Sequence, residues 1–166
     1  MAERARLTYS GHSQSAGSTN MDDFKYRDLK ITDDTLKRLQ SRSKSLIEPI
    51  KRHLLRWEDI TSHAQISFSI DEPSKTAAKG EFLHRTFRIT SEIIASGSDV
   101  HALISLTTED PLSGKTVLVD SYGLNTFGRI LRRESLTPLE NDQGGPEETE
   151  YEVICEALYS IAARKY

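Results

Sequence analysis

The sequence predicts an α+β fold: an antiparallel meander sheet of four to five strands, an N-terminal helical segment, and a C-terminal helix packed on one face of the sheet. Three observations carry that prediction. Val100, Ala102, Ile104 and Leu106 recur at every second position and the alternation resumes at Val117 and Val119, a period that puts side chains on one face of a strand. Between the two runs lies Glu109-Asp110-Pro111-Leu112-Ser113-Gly114, whose Pro and Gly are turn chemistry and join them as a hairpin. On both flanks of the strand-like region the apolar spacing changes to three and four, which is helical.

Residues 1–20 are rich in Ser, Gly, Thr and Gln and lack a periodic apolar face, so a disordered tail is expected there. Residues 21–166 are expected to form a single domain with an acidic linker at 134–146. Thr32-Asp33-Asp34 supplies N-cap chemistry for the first helical segment. Downstream of it, Leu36, Leu39, Leu46, Ile50 and Trp57 fall on one side, with most of the bases opposite. Pro49 lacks a backbone donor, which predicts a kink or a second helix starting near it. Ala64, Ile66, Phe68 and Ile70 alternate with Gln65, Ser67 and Ser69 as a half-buried first strand, followed by a loop to Gly80. Phe82 to Ile94 reads as one longer strand with Leu83, Phe87, Ile89 and Ile93 inward, and Arg85 interrupts that row as a bulge or an edge position. Ser96-Gly97-Ser98-Asp99 turns the chain into the hairpin. Residues 125–133 fit a fifth strand or a short helix equally. The last helix is expected from about Glu147, with acids in its first turn, Arg164 and Lys165 at its end, and Tyr151, Ile154, Leu158 and Ile161 along one side.

Composition narrows the function classes. No apolar run approaches the ~18 residues of a membrane span, and no charged start leads into an apolar stretch, so neither a transmembrane segment nor a secretory signal is expected. The single cysteine, Cys155, closes no internal disulfide, and an intracellular, cytoplasmic location follows. Five histidines without metal-ligand spacing, and the absence of nucleophile-elbow, phosphate-loop and dinucleotide motifs, predict neither a metal nor a cofactor nor a catalytic residue.

Charge is distributed unevenly. Seven bases (Lys37, Arg38, Arg42, Lys44, Lys51, Arg52, Arg56) face one acid, Glu48, between positions 37 and 56, whereas positions 134–152 hold seven acids and no base. A cationic stripe on an amphipathic helix suits RNA phosphates or phospholipid headgroups. The sequence is therefore expected to encode a non-enzymatic structural or adaptor protein, matrix-like in the viral sense by size and charge, that self-associates as a homo-oligomer and binds an anionic partner through those seven side chains. The outward sheet face, with His84, Arg88, His101, Leu103, Leu118 and Tyr122, is expected to be a contact surface for a protein partner. Two alternatives use that face: a small enzyme with His84 and His101 as acid and base and Arg88 holding an anionic substrate, or a module that inhibits or escorts one partner.

Overall fold

In a computed structural model of the chain, residues 21–96, 99–133, 135–139 and 145–163 are described, with side chains from Asp33 onward. The expected tail at 1–20 and most of the expected linker lie outside them. The element order is α1 (Met21–Ser45), α2 (Ile47–His63), β1 (Ser67–Ile70), β2 (Ala77–Phe82), β3 (Arg85–Ser96), β4 (Asp99–Glu109), β5 (Thr116–Leu124), β6 (Ile130–Leu131) and α3 (Pro146–Ala163). The chain divides after Asp33; the unit that begins at Asp34 contains the rest of α1 and everything that follows.

The α+β class holds, with six antiparallel strands in chain order rather than four or five. The extra strand comes from the stretch expected to be a loop and then one long strand. Ala77–Phe82 pairs with Arg85–Thr90, closed by Leu83 and His84, both at positive φ (52° and 61°). That is the signature of a two-residue type I′ turn, which Asn-Gly normally announces and Leu-His does not. Ala77 to Gly80 also lacks the β-branched residues that mark strands. Gly80 has a reason to be glycine: a Cβ there would collide with the Phe87 ring and lie 2.6 Å from the Ser67 carbonyl oxygen.

One core joins the sheet to α2 and α3. The inner row of β4 (Val100, Ala102, Ile104, Leu106) is buried as expected, with Phe87 and Ile89 from β3 and Leu124 from β5. Leu46, Ile50, Leu54 and Trp57 bring the first helical segment onto it, and Ile154, Ala157, Leu158 and Ile161 bring α3. Trp57 packs against Phe68 and Phe87 with ring centroids 6.2 Å apart in each pair. Leu36, Leu83, Ile93 and Tyr151, expected inside, are 58%, 63%, 42% and 51% exposed.

Helix ends differ from expectation for physical reasons. α1 begins at Met21, so Thr32-Asp33-Asp34 is internal to a helix and not its cap. Pro49 sits in the first turn of α2, where a missing N–H costs nothing. The described last turn of α3 carries no base of its own; the Arg85 guanidinium crosses over and donates to the Ile161 carbonyl oxygen at 2.8 Å. This is what Arg85 does in place of forming a bulge. Residues 135–139 are tied to the sheet by Leu139 N–H donating to the Ile130 carbonyl and by a Leu131–Pro138 bridge, so this stretch is not a free linker.

The bulge lies in β5. Thr107 pairs with Leu118 but Leu106 pairs with Asp120, leaving Val119 as the extra residue. From that point every second residue changes face: Asp120, Tyr122 and Leu124 come opposite Leu106, Ile104 and Ala102 on the core side.

Candidate functional site

The seven cations stand where helical spacing puts them. Leu46, Ile50, Leu54 and Trp57 are pinned in the core, so residues at the intervening positions turn outward. Lys37, Arg38, Arg42, Lys44 and Arg52 are exposed, and Lys51 and Arg56 are half-buried. Several are engaged: Arg42 with Asp99 at 2.7 Å, Lys51 with Glu48 at 3.1 Å and Arg56 with Asp59 at 3.4 Å, and Lys37 also has a partner. Among the described residues no acid pairs with Arg38, Lys44 or Arg52.

The expected contact face is not one face. His84 is fully exposed in the β2–β3 turn, and Arg88 pairs with Asp71 at 2.9 Å. Leu103 is half-buried and Leu118 is 40% exposed, but His101 and Tyr122 are only 7% and 5% exposed. Tyr122 is inside because of the Val119 bulge, which reverses the alternation that pointed it outward. His84 and His101 are also far apart. His101 pairs with Ile94, nine residues along β3 from Arg85, or roughly 30 Å at about 3.3 Å per residue. No acid–base pair forms from these two rings.

The structure assembles a different polar group. His53 of α2 lies within the core stripe between Ile50 and Trp57, and its side chain is 1% exposed. Its Nδ1 meets Glu150 Oε1 of α3, and its Nε2 lies 2.7 Å from the Tyr122 hydroxyl of β5. Trp57 Nε1 lies 3.2 Å from the same hydroxyl. One proton assignment satisfies every atom: Nδ1–H donates to the Glu150 carboxylate, Tyr122 O–H donates to Nε2, and the indole N–H donates to the Tyr122 oxygen. Burial, opposed by the indole hydrogen bond and reinforced by the Asp120 and Glu150 carboxylates, holds the Tyr122 phenol well above its ordinary range. It therefore stays protonated and remains a donor. With both ring nitrogens engaged and the ring enclosed, the cluster joins α2, α3 and β5 as a structural clasp. The sequence carried a signal for it: His53 and Glu150 each occupy a core-stripe position, Glu150 one turn before Ile154.

Above the clasp is a cleft of about 560 Å³ lined by Pro49, Arg52 and His53, by Phe127 and Arg129 from the β5–β6 turn, and by Glu147, Glu148 and Glu150 at the start of α3. Here the basic and acidic segments of one chain come together. Phe127 is 82% exposed on a turn held by Asn125 Oδ1, which accepts the N–H groups of Phe127 and Arg129 at 3.0 and 2.9 Å. Cys155 is half-buried one turn from Tyr151, whose phenol it holds above the ordinary value. Among the described residues, no three His, Cys, Asp or Glu side chains are grouped to hold a metal, and no helix is long and apolar enough to cross a membrane.

Compared with protein-family models, with curated proteins and with solved structures, the chain matches none.

Proposed function

We propose that the protein is a non-enzymatic binding module that self-associates and engages a phosphate-bearing anionic partner through the outward side of α1 and α2. One observation carries this reading: Lys37, Arg38, Arg42, Lys44 and Arg52 are exposed on a helical segment whose other side is pinned in the core, and among the described residues Arg38, Lys44 and Arg52 have no acidic partner. Exposed cations in a row attract phosphates whether they belong to an RNA backbone or to lipid headgroups.

The test compares the wild-type chain with Arg38→Gln/Arg42→Gln/Lys51→Gln/Arg52→Gln. Binding is measured to phosphatidylserine–phosphatidylcholine vesicles, to phosphatidylcholine vesicles and to single-stranded homopolymer RNA, each over a salt series. At roughly 1 kcal/mol per cation near an anionic surface, the fourfold variant is expected to bind about a thousandfold more weakly while keeping its fold. For RNA the slope of log affinity against log salt should also become shallower, by about 0.7 for each phosphate that is no longer neutralised. Binding to vesicles alone or to RNA alone identifies the phosphate source. Equal binding by the two proteins, or none by the wild type to either anion, overturns the reading.

A further inference from the structure

The sheet has two edges, and the chain covers one of them. At β6, Leu139 N–H donates to the Ile130 carbonyl at 2.8 Å and Leu131 bridges Pro138. The other edge is β1. Asp71 N–H donates to the Ala77 carbonyl at 2.8 Å, and in an antiparallel ladder the bonded pairs come at every second residue. Ser67 and Ser69 are therefore bonded to β2, whereas Phe68 and Ile70 turn their N–H and C=O groups to the open edge. Among the described residues those four groups have no partner. A groove of about 660 Å³ runs beside them, between β1 and a flank of α2. Two of its ion pairs close within the chain, Lys51 with Glu48 at 3.1 Å and Lys75 with Glu72 at 3.3 Å. Three lining residues are left over: Arg52 and Glu58, exposed and without an ion-pair partner among the described residues, and Leu55 midway between them, 56% exposed.

We infer that β1 pairs antiparallel with β1 of a second copy across a two-fold axis at Ser69, joining two sheets into one. This pairing is the self-association of the reading above, rests on it and gives it a surface. Open strand edges template pairing with another chain, and here the groove is complementary to itself. Phe68 and Ile70 stand either side of Ser69, so each exchanges two hydrogen bonds with the other residue of the second copy, and every open group is used. Their side chains, half-buried, meet across the joint as an aromatic and a β-branched residue. The chain reverses between α2 and β1: Ile66 N–H donates to the Thr61 carbonyl at 2.8 Å and Trp57 packs on Phe68. Glu58 therefore lies toward the Phe68 end of the groove and Arg52 toward the Ile70 end. The two-fold axis sets Leu55 opposite Leu55 and Arg52 opposite Glu58, twice. A foreign strand would satisfy the backbone groups but has no reason to bring both charges at this spacing, whereas a second copy brings them of necessity. Because the same surface is used on both sides, the contact closes at two copies.

Three proteins test the inference: Leu55→Glu, Arg52→Glu and Glu58→Arg. Their folds are checked by far-ultraviolet circular dichroism and by the emission of Trp57, the single tryptophan. By light scattering, the wild-type mass is expected to reach twice the 18.7 kDa of one chain and to rise no further with concentration. Leu55→Glu sets like charges on the axis, and each of the other two replaces two attractive pairs with two repulsive ones. All three should stay near monomer mass, with the dimer dissociation constant raised at least about a hundredfold. An equal mixture of the Arg52→Glu and Glu58→Arg proteins should dimerise again, because both junctions then oppose a glutamate to an arginine. The Phe68 and Ile70 amides should exchange hydrogen more slowly in the wild-type dimer than in the Leu55→Glu protein. A monomeric wild type, growth beyond two copies, dimers that survive the substitutions, a mixture that stays monomeric, or amides that exchange alike overturns the inference. The Leu55→Glu protein keeps every cation of the stripe. Its binding to anionic vesicles and RNA therefore reports on the phosphate reading separately from the association.

Discussion

Removing Glu150 and His53 singly and together measures what the clasp between α2, α3 and β5 contributes. Glu150→Leu strips a charge-assisted hydrogen bond from His53 Nδ1–H. That donor sits on a side chain only 1% exposed, so water cannot replace the carboxylate. A broken bond to a charged group and a stranded buried donor together put the cost at about 2–3 kcal/mol. His53→Leu leaves the Tyr122 hydroxyl without its acceptor, whereas the Glu150 side chain, 20% exposed, recovers part of its hydration. A similar loss of about 2–3 kcal/mol is expected, dominated by the phenol. The double variant has no bond left to break between these positions and should cost little more than the worse single one, a coupling of about 1.5–3 kcal/mol. Urea unfolding followed through Trp57 emission reads this directly, because the indole is fully buried and belongs to the cluster. Each kcal/mol should also lower Tm by about 2–4 °C in a chain of this length. Additivity within about 0.5 kcal/mol, at unchanged denaturant slope, would refute the clasp and leave four polar groups that are merely adjacent.

Two further outcomes follow from the same geometry. The Tyr122 phenol is held above its ordinary value in the folded state, so above pH about 10 the unfolded chain releases a proton that the folded chain keeps. Stability should therefore be fully present below that pH and fall by about 1.4 kcal/mol per pH unit above it, and Tyr122→Phe should remove this component of the slope from a stability–pH curve. At the β2–β3 turn, Leu83→Asn/His84→Gly places residues that favour positive φ where the backbone already has it. Both side chains are exposed, so little packing is given up and a gain of about 1 kcal/mol is expected in urea unfolding; destabilisation would show that the turn is not of type I′.

Where the chain's own periodicity acts over a single element, the sequence was a sound guide. The inner row of β4, the Asp110–Gly114 turn, the α2 stripe through Ile50 and Trp57 and the outward cations all follow from spacing within a few turns or one strand. The hairpin at Leu83-His84 escaped because tertiary pairing holds those residues at a backbone angle their side chains do not favour. The clasp was half visible, since His53 and Glu150 were polar residues in apolar stripes, yet nothing local says that two such positions 97 residues apart meet.

By itself, the sequence determined the α+β class, the amphipathic helices and the separation of basic from acidic stretches, because these depend on residue order at short range. Only the tertiary structure decided that Tyr122 faces the core, that Arg85 caps α3 and that one end of the basic segment meets the acidic one beside Arg52. Each of these turns on a register or a long-range pairing: one extra residue at Val119 reverses the faces of β5, and no pattern of neighbours along the chain encodes where a bulge will be placed.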